Sequence, residues 1–296
     1  MTAHACPICE SGAASAVFLR YDSLEWHRCA GCGGGWLSPY TSELARDDED
    51  FAAPYKAYAA ARAVFDAVAD EKAGWVLRHL TPGMAFVELG PGIGSVAAAI
   101  RRRSPATRIL LVEPRDYFAK VLRESGFEVY GAEPDQATDS ALAAVRQQGK
   151  RALILMDNVL EHVTWPGRLL ARLHRGSPPG SRLLVEVPNE AGLAWRARVQ
   201  DFLRGEKKPP TFPGHINLFT RASLAQFGER VCGQPVVTRY NPIRSTAQVA
   251  YLSQQADFNW RIRAAVAALN LLPVDRLLGV AYWLRAEIGI GGLRNG

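Results

Sequence analysis

The 296-residue sequence has no stretch of eighteen uncharged apolar residues, so no segment is predicted to span a membrane. Its opening, MTAHACPICE, lacks the basic and apolar regions of a secretory signal, and the expected location is the cytoplasm. There are no internal repeats and no low-complexity tracts, and about half the residues are apolar, enough for one ordinary core with appendages. Charge of one sign is also in short supply: the formal balance is only +6. The run Arg101, Arg102, Arg103 reads either as an attractant for a phosphorylated or otherwise anionic substrate or as a solvated helix face, and nucleic acid is not the expected partner.

Cysteine is scarce, yet four of the five are organised. Cys6-Pro-Ile-Cys9 and Cys29-Ala-Gly-Cys32 form two C-x2-C pairs nineteen residues apart, the spacing of a four-thiolate zinc site. In a cytosolic chain two disulfides are the weaker reading. Between the pairs, AVFLRYD and LEWHRC alternate like a hairpin, so residues 1–40 are expected to form a zinc ribbon. A site closed by four cysteines has no open coordination position, which points to a structural role. Cys232, far from the others, reads as a small buried residue.

From Pro54 to Leu80 apolar residues recur at helical spacing and Thr81-Pro82-Gly83 stops them, predicting a helical connector over 41–80. Tyr55 and Tyr58 at its start either fold over a ligand or pack. Residues from 84 onward then alternate strands (MAFVELG, RILLVEP, FEVYGAE, RALILMD, SRLLVEVPN) with helices (SVAAAIRRR, RDYFAKVLRESG, ALAAVRQQ, PGRLLARLHRG). The pattern predicts an α/β fold, a doubly wound Rossmann-like sheet whose ligands bind beyond the carboxyl ends of the strands. The first strand ends in Glu88-Leu89-Gly90-Pro91-Gly92-Ile93-Gly94-Ser95, where glycines let backbone approach a ligand. Nineteen residues past Gly94, Glu113 ends the second strand, placed to accept from ribose hydroxyls. Loop and acid together indicate a nucleoside cofactor. A dinucleotide fingerprint can be forced onto Gly92-Ile93-Gly94-Ser95-Val96-Ala97, but it leaves Gly90-Pro91 unexplained. The carboxylate of Glu88 also favours a cationic ligand, such as an amino-acid ammonium group, over a pyrophosphate.

The series VELGPGIGS, LLVEP, MDNVLEHV and PPGSRLLVEVPN resembles the motifs of class I S-adenosylmethionine-dependent methyltransferases over residues 81–254. The resemblance implies a seven-stranded methyltransferase sheet, with Gly90, Gly92 and Gly94 beside the methionine part of S-adenosyl-L-methionine and Glu113 on its ribose. Ala132-Glu133 would lie near the adenine, Glu133 competing with Glu113 for the ribose. The amino-terminal CPIC and HRCAGCGGGWLSPY are similar to bacterial methyltransferases with a zinc-binding module, among them C-methyltransferases of deoxysugar and specialised-metabolite pathways. Where those enzymes carry a large carboxyl-terminal domain, only 255–296 follows here.

LMDNVLEHV places Asp157, Asn158, Glu161 and His162 at the end of the fourth strand, beside the expected switch point. Asp157 and Asn158 are expected to contact the cofactor or steer the acceptor. His162 is either a general base with a pKa near neutrality or a hydrogen-bonding structural residue. Relatives with Glu, Glu and His at this turn bind metal, and Asn158 in the first ligand position argues against a metal here. His215, in the loop KKPPTFPGH, is the rival base or a turn cap, and 190–208 forms a lid or a packed helix. QPVVTRYNPI and AQVAYLSQ are predicted to pair as a hairpin closing the sheet. The tail 255–296 is expected to be helical, serving as a homodimer contact or active-site cover. The expected activity is methyl transfer to a small-molecule acceptor in specialised-metabolite or sugar biosynthesis. Methylation of protein or RNA, a nucleic-acid-binding zinc ribbon and a nicotinamide-dependent oxidoreductase are the alternatives.

Overall fold

The computed structural model describes residues 5–12, 15–21, 24–38, 62–131, 134–190, 215–241 and 283–291. Alternation in the amino-terminal segment produces the predicted hairpin: β1 (Ser15–Tyr21) pairs antiparallel with β2 (Leu24–Cys29), and β3 (Gly35–Ser38) pairs with β2. After the connector helix α1 (Arg62–Leu77) come β4 (Met84–Leu89), α2 (Ser95–Arg103), β5 (Ile109–Val112), α3 (Asp116–Glu124), β6 (Glu128–Tyr130) and α4 (Pro134–Gln147). The chain continues through β7 (Arg151–Asp157), a 3-10 turn (Leu160–His162), α5 (Pro166–Gly176), β8 (Ser181–Pro188), β9 (Asn217–Leu218), α6 (Arg221–Cys232), β10 (Val237–Asn241) and β11 (Trp283–Ile290).

Seven strands form one sheet in the order β10-β11-β8-β7-β4-β5-β6. Strands β4 to β8 run parallel, and β10 and β11 are antiparallel additions. Because β4 and β7 are covered on both faces, they are almost continuously apolar rather than alternating. From β4 the chain winds outward through β5 and β6, then returns to β7 on the other side of β4. The crevice beyond the carboxyl ends of β4 and β7 is therefore the switch point. Ala73, Val76, Phe86, Ile100, Leu111 and Leu153 fill one face of the sheet, and Val87, Leu142, Ile154, Leu173 and Val185 the other.

One expectation is corrected. Strand β10 pairs with β11, and β11 lies inside the tail expected to be helical. In WLRAEIGI, Leu284, Ala286, Ile288 and Ile290 are buried at every second position, a strand period that the helical reading of 255–296 overlooked. The stretch 247–254 itself, Tyr55, Tyr58 and the segment 191–208 lie outside the described residues.

The ribbon is not a free-standing bead. Its cysteines and Trp36 share one buried cluster with Ile154, Val185 and Phe227 of the large domain, and β9 adds as a fourth strand to its sheet. A Cβ on Gly34 would lie 2.7 Å from Ile8 and 3.2 Å from Ser223 of α6, so glycine there permits the close approach. The arginine run is also absorbed: Arg102 pairs with Asp70 at 2.9 Å, Arg103 bonds the Asp70 carbonyl, and Arg101 bonds that of Ser125. These contacts fasten α2 to its neighbours. Among the described residues, no helix is long and apolar enough to cross a membrane.

Candidate active site

The loop leaving β4 turns sharply three times, with Gly90 at φ 66°, Gly92 at 55° and Gly94 at 75°, values that a side chain tolerates poorly. Space is tight behind Gly90 and Gly94, where a Cβ would come within 2.8 Å of Val159 and 2.5 Å of Leu122. At Gly92 nothing lies within 4 Å of the same position. Glu113 pins this turn from β5: its buried carboxylate accepts from the Gly92 amide at 3.0 Å and the Arg115 amide at 3.0 Å. Glu88 is buried too, and its Oε2 has no hydrogen-bond partner. Burial, reinforced by the charge of Asp157, pushes its pKa up to about 8.

Asp157, at the end of β7, belongs to a buried charge network. Lys72 of α1 reaches both its oxygens at 2.6 and 2.7 Å and bonds Glu186 of β8 at 2.9 Å. Glu186 also accepts from Arg285 of β11 and from Asn241 of β10. Burial raises the Asp157 pKa against the pull of Lys72, whereas in Glu186 the two cations outweigh burial and hold the carboxylate ionised. The lysine itself, despite burial, is held above its ordinary value by the two acids. Asn158 follows at φ 52°, with its amide bonding the Glu186 carbonyl and its side chain donating to Asp157 at 2.9 Å. Asparagine is among the few residues that accept this conformation. Asn158→Val is therefore expected to cost about 1–3 kcal/mol of stability, and Asn158→Gly far less. Urea denaturation of both variants tests this, and equal losses would refute the strain.

The next turn brings the two rival histidines together. His162 and His215 pack edge to face with ring centroids 4.9 Å apart. Glu161 lies beneath them, 1% exposed, and neither carboxylate oxygen has a hydrogen-bond partner. Its pKa is pushed up to about 8 by burial, with Asp157 and Glu190 adding to the effect. Glu161, His162 and His215 can bring ligand atoms within 4.8 Å of one another.

A methyltransferase-domain family model matches residues 58–231, more than half of the chain. The chain belongs to this methyltransferase family. The chain is similar to solved structures. One is a possible histamine N-methyltransferase from Thermotoga maritima, 16% identical over 84% of this chain and all of that one, with a TM-score of 0.50. Another is the plantazolicin methyltransferase BpumL, 12% identical over 82% of this chain and 92% of that one, with a TM-score of 0.49. No curated protein matches in sequence.

In the methyltransferase, Glu88 and the glycines at 90, 92 and 94 lie at and just after the end of β4, Glu113 just after β5, and Asp157 and Asn158 at and just after the end of β7. Ala132 lies outside the described residues. Asp157 is placed as expected, but Lys72 and Asn158 already engage its oxygens. Sequence reasoning missed Lys72, Glu186, Asn241 and Arg285. The one available clue was an acid inside the apolar run LLVEVP.

The four ribbon cysteines fit a zinc ion. Cys6 and Cys32 sulfurs lie 3.9 Å apart and Cys9 and Cys29 3.7 Å. Four ligands at Zn–S of about 2.3 Å in a tetrahedron would be about 3.8 Å apart. Gly31 and Gly34 amides donate to the Cys29 and Cys32 sulfurs. Among the described residues all five cysteines are free thiols.

Proposed function

We propose that this methyltransferase takes S-adenosyl-L-methionine and methylates a small-molecule acceptor in specialised-metabolite or sugar biosynthesis. The observation that carries the reading is the turn at 90–94, three left-handed glycines opening toward the switch point under the grip of Glu113. When bound, the cofactor supplies an electrophilic methyl group on a positively charged sulfur. The orphaned oxygen of Glu88 suits its ammonium group, and Glu113 its ribose. Asn158 and the His162–His215 pair, on the segment that follows β7 and beside it, are the candidates for the acceptor side. One of the two histidines would take the proton that the acceptor gives up. The rest of the acceleration comes from holding acceptor and methyl in line, which can supply on the order of 7–11 kcal/mol.

Calorimetry with S-adenosylmethionine, S-adenosylhomocysteine and NADPH tests the reading, followed by incubation with methyl-labelled cofactor and fractionated small molecules. Binding of NADPH alone would overturn it. Protonated Glu88 adds a pH signature. At pH 7, below its pKa of about 8, the free protein carries the proton and an incoming ammonium favours the ionised form. Binding should therefore release a proton from Glu88 at pH 7, up to about one per chain. The dependence of the calorimetric enthalpy on buffer ionisation heat measures this release. Glu88→Gln should abolish it, and a release unchanged in that variant would exclude Glu88 as the source.

A further inference from the structure

We infer that the cysteine ribbon is a positioning device for the active-site histidines, acting through the short segment 215–219. The inference rests on the methyltransferase reading and on zinc occupying the four cysteines.

Residue Ile216 shows the linkage. Its amide donates to the Glu161 carbonyl in the turn that carries His162, at 3.0 Å, and its own carbonyl accepts from Leu37 of β3, also at 3.0 Å. A single residue is thus held by the ribbon on one side and by the catalytic turn on the other. Its predecessor is His215. Asn217, 1% exposed, repeats the arrangement: it faces Trp36 in the β3–β9 pair, while its side-chain amide donates to the Val163 carbonyl. Phe219 closes the segment by accepting from the Glu190 amide at 2.9 Å.

The other end of the linkage is the cysteine knuckle. Strand β3 begins three residues after Cys32, the Cys29 amide donates to the Gly34 carbonyl at 2.9 Å, and the Gly34 amide donates to the Cys32 sulfur. The path of β3 is therefore set where the cysteines gather. Two bonded residues in β9 are too few to hold a strand alone. With the knuckle closed, β3 offers a fixed edge and His215 rests on His162. With it open, that edge loses its anchor and the histidine pair loses its geometry. The glycine turn and Glu113 share none of these bonds, so the cofactor end should be largely unaffected.

The chain has six histidines, few enough for their ring signals to be resolved by NMR and assigned with His162→Gln and His215→Gln. In the full zinc-loaded chain a through-space contact between the two rings is expected. Removal of zinc with a chelator under reducing conditions should abolish it, while affinity for S-adenosylhomocysteine changes by less than about threefold. Asn217→Ala should abolish the same contact with one zinc per chain retained. Persistence of the contact without zinc, or in Asn217→Ala, would overturn the inference, as would a parallel loss of cofactor affinity in a zinc-free chain that stays folded. If the zinc-free chain unfolds, Asn217→Ala decides by the same criterion. Failure of the zinc-loaded chain to bind S-adenosylhomocysteine would refute the proposed function instead and leave the ring contact to be judged on its own.

Discussion

Lys72→Met should unfold at a much lower urea concentration than the wild-type protein, with a loss of about 3–5 kcal/mol at neutral pH. The lysine is the shared partner of Asp157 and Glu186; Glu186 is fully buried and Asp157 is mostly so. Removing the cation leaves these two carboxylates with Arg285 as the remaining countercharge. The loss should depend on pH in a defined direction. Without Lys72 the Asp157 pKa rises further above its unfolded value and Glu186 loses one of the two cations that lower its own, so burial then favours the protonated acids. That contribution is present below the ordinary carboxylate range and lost as pH climbs through the raised values. The defect should accordingly shrink at pH 5, and Lys72→Met combined with Asp157→Asn should recover part of it. A pH-independent loss below about 1 kcal/mol would show that the network is dispensable.

Gly92→Val should lose at least about a hundredfold in affinity for S-adenosylmethionine, equivalent to about 2.7 kcal/mol. Two effects combine. Valine at φ 55° is strained, and its branches would project into the open space beside the turn, where nothing lies within 4 Å of a Cβ. The strain costs about 1–3 kcal/mol, which a stable domain survives. The variant should stay folded by circular dichroism and show no binding in calorimetry. Retained tight binding would remove the turn from the cofactor site. Gly94→Ala is a less informative variant, because its Cβ would collide with Leu122 at 2.5 Å and damage packing as well.

Much of this was legible beforehand, for physical reasons. Buried parallel strands such as ALILM must be apolar on both faces, so they stand out as runs, and the glycine spacing in ELGPGIG is hard to produce except by a tight turn. The cysteine pairs were readable because metal coordination fixes their spacing. What stayed hidden depends on contacts distant in sequence. Lys72 sits among Ala69, Ala73 and Val76 and reads as a solvated lysine until β7 and β8 supply its acids. Arg285 has meaning only once β11 pairs with β8. Strand β9 is two residues long and carries no strand pattern; the β3 edge creates it. His162 and His215 looked like competitors because sequence distance conceals that they touch.

The late arrival of β11 bears on how the molecule is made. Until residues 283–290 emerge from the ribosome, β8 has an open edge and Glu186 lacks one of its two cations. A nascent chain that already contains the glycine turn and Glu113 must wait for this strand, and in the interval its half-finished sheet invites pairing with other chains. Synthesis in cells should therefore reward prompt completion or chaperone cover over that edge, and stalling a translation complex shortly before residue 283 should trap an aggregation-prone species.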